Sequence, residues 1–250
     1  MVESVFKTYS QYYDLLYKDK NYIKEKDYIK SILKDFSIPK GNLLEFGSGT
    51  GKHAKLLAKD GYKVHGIELS EEMVSKAGKF PGFTCQVGDI SNVKTDRIYN
   101  AVLALFHVMS YQITKSKLKA VFENASLHLN RGGLFLFDFW YSPAVVLQKP
   151  EVRVKRMANN KVEITRIAEP EIFSNESRVN VNYTIFVKDV VKNIIHSFKE
   201  THSMRHFNLS EIDDLAKSTG FQRVKTEEFL SGQIPSENTW GVCVVLKKND

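Results

Sequence analysis

Three glycines spaced by two lie in the run Leu43-Leu44-Glu45-Phe46-Gly47-Ser48-Gly49-Thr50-Gly51-Lys52-His53. Without a Cβ at 47, 49 and 51 the chain can turn tightly and approach a ligand, and the free N–H groups of a following helix favour an anionic group. Two common versions of such a loop do not fit. A dinucleotide loop has its third glycine five positions after the first, where Lys52 stands, and a triphosphate loop ends in Gly-Lys-Ser/Thr, whereas Lys52 precedes His53. Glu45, two residues before Gly47, instead offers a carboxylate to a cationic amino group. Glu68, 21 residues after Gly47, ends the run Val64-His65-Gly66-Ile67, where an acid can accept hydrogen bonds from both hydroxyls of a ribose. Gly88-Asp89-Ile90 follows the next apolar run. Each signal is common alone, since an acid ending a strand is often a helix cap and Gly-Asp is an ordinary turn; their order carries the weight.

The elements that must position these groups alternate. Apolar residues at three- and four-residue spacings (Tyr12, Tyr13, Leu16, Tyr17, then Tyr22, Tyr28, Ile29, Ile32, Leu33) predict N-terminal helices within 1–38. After the turn Pro39-Lys40-Gly41, strand, loop and helix span 43–60; strands follow at 63–67 and 83–87, with a helix capped by Ser70 between them. A buried strand at 99–105, a helix at 115–129 and a strand at 133–139 suit a parallel sheet covered on both faces. From about Pro150, alternation such as Val179-Asn180-Val181-Asn182-Tyr183 predicts antiparallel strands; a helix at 209–218, capped by Asn208 or Ser210, and strands at 221–230 and 240–247 complete the chain. The expected fold is a doubly wound α/β sheet in a single domain: a helical cap at 1–38, a core at 39–149, an antiparallel β insert at 150–206 and a last helix with two strands at 207–250.

In this order the three signals resemble class I S-adenosylmethionine-dependent methyltransferases, in motifs over about 40–140 and in element order over nearly the whole chain. The resemblance implies a Rossmann-like, mostly parallel seven-stranded sheet and S-adenosylmethionine as cofactor, leaving as S-adenosylhomocysteine. It implies a cofactor site of Tyr13, Glu45, Gly47, Ser48, Gly49, Gly51, Glu68, Leu69, Met73, Asp89, Ile90 and Phe106. Within it, Glu45 serves the amino end, Glu68 the ribose, Asp89 the exocyclic amine and Ile90 the adenine ring. The DNA amino-methyltransferases carry an Asn/Asp-Pro-Pro-aromatic motif after the fourth strand, where this chain has Phe106-His107-Val108-Met109-Ser110-Tyr111, so a flipped DNA base is not the expected substrate.

The layout further resembles the sugar N-methyltransferases of nucleotide-linked deoxyaminosugar pathways, with an N-terminal Tyr-Asp near the cofactor and an antiparallel insert that roofs the acceptor. On that resemblance His107, Tyr111 and Tyr13 are the candidate catalytic residues. Tyr17, Trp140, Tyr141, Arg153, His202, Arg205 and Trp240 are candidate acceptor contacts, and Arg156 and Arg166 further phosphate clamps. A packed histidine, aromatic core and surface arginines are the plainer readings of the same residues. Methyl transfer asks mainly for alignment and exclusion of water: a neutral amine need only have lost its proton, whereas a hydroxyl needs a base or metal. No metal-ligand set is recognisable, which favours an amine. Other small-molecule N- or O-methylation, RNA methylation and a non-catalytic cofactor-binding protein remain alternatives.

Composition bounds these readings. The 250 residues are 42% hydrophobic and carry a net charge of +7, but only 8 of the 36 basic residues are arginine and the lysines are dispersed, as on a solvated surface. The longest apolar stretch, 100–111, is too short for a membrane span. The first residues lack a secretory pattern, and two cysteines make no disulfide framework, so a reducing cytoplasm is expected. The β insert could pair across a homodimer as easily as cover its own pocket.

Overall fold

The computed structural model describes residues 8–249, so the part of the predicted N-terminal helices at 1–7 lies outside the described residues. Helix α1 covers Tyr9–Leu16 and α2 Tyr22–Asp35. The Asn21 side chain caps α2 by accepting from Lys24 N–H, and Ile29, Ile32 and Leu33 form its buried stripe. Then β1 (Asn42–Phe46), α3 (Lys52–Lys59), β2 (Lys63–Glu68), α4 (Glu71–Ala77), β3 (Phe83–Val87), β4 (Tyr99–Ala104), α5 (Lys115–His128) and β5 (Leu129–Trp140) alternate as the apolar runs require. Leu134 to Phe139 are all buried, the signature of a strand covered on both faces.

The seven-stranded sheet has the order β10-β11-β5-β4-β1-β2-β3, with β10 at Phe221–Glu228 and β11 at Gly241–Lys248. Strands β1 to β5 are parallel, whereas β11 runs antiparallel between β5 and β10. Because β1 lies between β2 and β4, the chain winds away from it in both directions, and a crevice opens at the carboxyl ends of β1 and β4. The glycine loop and the Phe106–Tyr111 segment meet there: a Cβ on Gly47 would come within 2.5 Å of Val108 Cγ2.

Between the fifth and the last strands come α6 (Ser142–Gln148), which the sequence reading missed despite a proline in its first turn, and a separate antiparallel sheet. That sheet orders β6 (Arg153–Ala158), β7 (Val162–Phe173), β8 (Arg178–Asp189) and β9 (Ile194–Arg205). Its inner face packs Met157, Ile164, Ile185 and Val187 against Tyr9 and Leu16 of α1. Helix α7 (Leu209–Ser218) has Asn208, one of the two expected caps, at its cap position, where the side chain makes no capping bond. No helix among the described residues is long and apolar enough to cross a membrane.

Candidate functional site

The loop is pinned over the end of β2 by its own backbone. Gly47 N and Ser48 N both donate to Ile67 O, at 2.8 and 3.1 Å. Gly47, Gly49 and Gly51 all have φ between 55° and 74°, a left-handed conformation that other residues adopt at a cost. Ser48 turns its hydroxyl toward Cys85 Sγ at 3.3 Å, over the space that Gly66 leaves by lacking a Cβ, so the loop presents backbone here.

Glu45 is 1% exposed, and burial, reinforced by the charge of Glu68, pushes its carboxyl up to about 8. Its Oε1 lies 3.6 Å from His53 Nδ1, and its Oε2 has no hydrogen-bond partner among the described residues. An orphaned buried carboxylate oxygen is costly unless a donor reaches it. Glu68 accepts from Gly49 N–H on Oε2 and from Ser70 N–H on Oε1, each at 2.9 Å. It therefore ties the loop to the start of α4 as a cap would, and each oxygen keeps a second lone pair. Burial raises its pKa against the pull of those N–H groups. The two acids, 23 positions apart in sequence, share one electrostatic site.

Around this pair the remaining expected positions divide. Met73 is buried, with Sδ 3.8 Å from the place a Gly49 Cβ would take, and Phe106 meets Tyr17 edge-on at 5.1 Å between centroids. Tyr13, pressed to a raised pKa first by burial and then by Tyr22, Tyr17, Tyr111 and Glu68, stands among these groups. Its neighbour Asp14 accepts from Thr50 Oγ1 at 2.9 Å, fastening α1 to the loop. Leu69 is largely exposed, and Asp89 Oδ1 accepts from Ser91 N–H within its own turn. Ile90 is buried, as Met73 is, and packs with Phe46 and Ile67 in the core under the sheet.

The site also holds groups that the sequence reading passed over. Lys20, in the turn between α1 and α2, pairs with Glu25 and places its ammonium over the Tyr22 and Phe106 rings, at 4.6 and 4.3 Å from their centroids. His53 Nε2 lies 2.6 Å from the same Glu25 carboxylate, and burial lowers the His53 pKa. Asp138 of β5 faces His107 Nδ1 at 2.7 Å. Nothing in local spacing marks these partners, because each comes from a different element.

On the other side of Phe106 stands a polar and aromatic cluster. Tyr111 OH lies 2.8 Å from His202 Nδ1, and His202 Nε2 lies 3.0 Å from Glu200 Oε1. Arg166 donates to Tyr9 OH at 2.7 Å and to Tyr17 OH at 3.2 Å, and its guanidinium lies over Tyr183. Trp140 and Trp240 meet edge-on at 6.3 Å. Three expected acceptor contacts, Arg153, Arg205 and Tyr141, and one expected clamp, Arg156, are not brought here. Arg153 and Arg156 are exposed on β6, an edge strand, and Arg205 is buried in an ion pair with Glu211, its guanidinium over Phe207. Tyr141 packs against the core under the sheet, with its backbone N–H bonded to Trp240 O.

Residues 43–133 match the model of a family described as a methyltransferase domain. Over 223 residues the chain is 26% identical to the dTDP-3-amino-3,4,6-trideoxy-alpha-D-glucopyranose N,N-dimethyltransferase of Streptomyces venezuelae, covering 88% of this chain and 91% of that protein. The chain is an S-adenosylmethionine-dependent methyltransferase. Two solved structures share the methyltransferase's fold. The sugar N-methyltransferase KedS8 from Streptoalloteichus matches with a TM-score of 0.83 and 16% identity, over 100% of this chain and 96% of that one. The amino pentose methyltransferase CalS10 from Micromonospora echinaspora, solved with S-adenosylmethionine bound, matches with a TM-score of 0.77 and 20% identity, over the whole of both chains. In both comparisons the alignment extends across the methyltransferase's antiparallel sheet as well as its parallel core.

Proposed function

We propose that this methyltransferase transfers a methyl group to the amino group of a nucleotide-linked aminosugar, with the cofactor held between Glu45 and Glu68. The observation that carries the cofactor placement is the orphaned, buried Glu45 Oε2 beside a loop of bare backbone, with Glu68 in the same electrostatic site. The donor set fits a cofactor that is cationic at its amino end and carries hydroxyls on its pentose. Glu45 takes the ammonium, whose charge returns the carboxyl to its ionised form; Glu68 takes the ribose hydroxyls on its remaining lone pairs. The loop N–H groups, Met73 and Phe106 line the rest.

When bound, S-adenosylmethionine supplies a methyl group already activated on a sulfonium. The protein is then left to bring an acceptor into line, exclude water and accept a proton. An amine acceptor agrees with the named activity of the Streptomyces relative, and the net charge of +7 suits a phosphorylated partner. Arg166, held among Tyr9, Tyr17 and Tyr183 where α1 meets the antiparallel sheet, is the arginine best placed to meet such a partner.

The test is labelled methyl transfer from S-adenosylmethionine to dTDP-linked aminosugars, matched hydroxy-sugar nucleotides and RNA. Label in the aminosugar fraction is expected. Label only in the hydroxy-sugars overturns the amine, and label only in RNA overturns the substrate class.

A further inference from the structure

His107 and Asp138 form a second polar centre at the carboxyl edge of the sheet, apart from the two acids of the glycine loop. Asp138 is 1% exposed, between the fully buried Phe137 and Phe139. A carboxylate in such surroundings persists only with partners. His107 meets one of its oxygens twice: the backbone N–H donates to Asp138 Oδ2 at 3.2 Å, and Nδ1 lies 2.7 Å from the same Oδ2 at ion-pair distance, while neither Nδ1 nor Asp138 Oδ1 completes a hydrogen bond among the described residues. Burial by itself would raise the Asp138 carboxyl, yet His107 holds it below the usual carboxylate range. A carboxylate this close to Nδ1 favours the tautomer with its proton on Nδ1, which leaves Nε2 as the acceptor nitrogen of the ring.

The backbone sets His107 in this position at a cost. Phe106 and His107 have φ of 64° and 63°, two consecutive left-handed residues that each carry a Cβ. Such strain persists where surrounding structure over-determines it, and it gathers at functional sites. Here it bends the chain out of β4, so that the imidazole meets both Asp138 and an open cavity.

That cavity measures about 320 Å³ and is lined by His107, Trp140, Trp240, Phe229, Glu228 and Asn238, a size within the roughly 300–1,000 Å³ of small-ligand sites. His107 meets the Trp140 indole at 6.1 Å, and the two indoles stand at 89° to each other. The walls are fastened from α6: Trp240 donates its indole N–H to Gln148, whose side-chain amide donates to Asn238 Oδ1 at 3.1 Å. Two indole faces at right angles suit the C–H faces of a sugar ring. An ammonium on that ring is attracted both to the indoles and to the Glu228 carboxylate.

We propose that this cavity holds the amine-bearing ring of the acceptor and that His107, oriented by Asp138, takes the proton which the amine must lose before it is methylated. The inference rests on the aminosugar reading above. In the step, one N–H bond of the protonated amine breaks and an H–Nε2 bond forms. The positive charge passes to the imidazole, and the electron pair left on nitrogen becomes the nucleophile. His107 is the proton acceptor; Asp138 is a positioning residue.

The experiment follows methyl transfer to a dTDP-linked 3-aminosugar from pH 6 to 10 in wild type, H107Q, D138N and W240L, with S-adenosylhomocysteine binding measured by calorimetry on each. At neutral pH H107Q is expected to lose roughly 10²-fold in kcat. The loss should shrink as the pH passes the acceptor amine's own pKa, where free amine no longer needs a base, while product binding stays unchanged. D138N should show a smaller loss with the same pH signature, and W240L a raised KM with the wild-type pH profile. Both tryptophans of the chain line the cavity, so intrinsic fluorescence also reports acceptor entry without turnover, as a saturable change in emission. An H107Q rate equal to wild type, or a loss constant across pH, overturns the proton acceptor. An unchanged KM in W240L together with unperturbed emission overturns the cavity. Should wild type methylate no aminosugar nucleotide, the acceptor reading falls and takes this inference with it; wild-type turnover with an unaffected H107Q sinks the inference alone.

Discussion

Tyr111 OH and His202 Nδ1 meet at 2.8 Å, one from the loop after β4 and the other from β9, so this hydrogen bond ties the parallel core to the antiparallel sheet. Glu200, 3.0 Å from the other ring nitrogen, completes a carboxylate–imidazole–phenol chain. Tyr111→Phe keeps the ring and removes the hydroxyl, leaving a buried nitrogen without its phenol. A loss of about 1–3 kcal/mol in unfolding free energy is expected. If the antiparallel sheet also roofs the acceptor, KM for the acceptor rises while cofactor affinity stays level. Thermal denaturation and calorimetry check the two halves separately; full stability in Y111F would mean that this contact contributes nothing.

Glu45 is held neutral by its surroundings, with its carboxyl pushed up to about 8. The native state therefore keeps a proton that the unfolded chain releases near 4.5, and stability must fall as pH rises from that value toward about 8. Glu45→Gln removes the titration. Its melting temperature should gain on wild type from pH 5 to 8, while affinity for S-adenosylmethionine drops because a neutral amide no longer meets the ammonium. Wild-type affinity should itself rise with pH over the same interval, since binding selects the ionised carboxylate. A parallel pair of melting curves across pH would contradict the burial of this acid.

Lys20 and Glu25 have the opposite sign. Burial alone would raise Glu25, but His53 and Lys20 outweigh it and hold its carboxyl below the ordinary value. That pair contributes stability above about 4.5, which is lost as pH falls through the lowered value. Both side chains are about nine-tenths buried, so Lys20→Met leaves a carboxylate without its cation and should cost about 3 kcal/mol at pH 7. The deficit should close on acidification, when Glu25 is protonated in either protein. Urea titrations at pH 7 and pH 4 make the comparison.

These partners also mark where the sequence stops being readable. Gly47, Gly49, Gly51 and Glu68 were legible because a tight loop and a strand end are local events, fixed by residue type within a few positions. The parallel sheet was legible because runs such as Leu134–Phe139 are apolar on both faces. Lys20, His53 and Asp138 were not, since a lysine among lysines and an acid inside an aromatic run acquire meaning only when distant elements converge. Arg205 misled for the same reason: its ion pair with Glu211 depends on α7 docking against the end of β9. Ile90 has the apolar character of a ring contact and of a core residue alike, and its packing with Phe46 and Ile67 joins elements that local spacing does not connect.

Glu68 carries two tasks that one substitution can separate. Its oxygens hold Gly49 N–H and Ser70 N–H, and they are also the acceptors proposed for the ribose. Glu68→Ala removes both, so cofactor affinity should weaken by roughly 1–3 kcal/mol and the protein should also lose stability. Glu68→Gln keeps one carbonyl acceptor for the loop. It should recover much of the stability but less of the affinity, because a ribose with two hydroxyl donors needs two acceptors. Calorimetry with S-adenosylhomocysteine and with adenine, which lacks the pentose, separates the effects; equal losses for both ligands would place the ribose elsewhere.

Gly47 and Gly49 are both left-handed, yet only one of them is crowded. A Cβ at Gly49 meets nothing nearer than Met73 Sδ at 3.8 Å, whereas a Cβ at Gly47 meets Val108 Cγ2 at 2.5 Å and Cγ1 at 2.9 Å. Gly49→Ala should therefore cost about 1–2 kcal/mol, from the left-handed backbone alone. Gly47→Ala carries that same cost and must also displace a branched side chain across the β1–β4 crevice. Val108→Ala removes both clashing methyl groups, so the double variant G47A/V108A should recover the steric share and leave the backbone share. Chemical denaturation of the two single variants and the double gives the coupling energy directly. A coupling near zero would show that the loop after β1 and the segment after β4 do not press together as these contacts require.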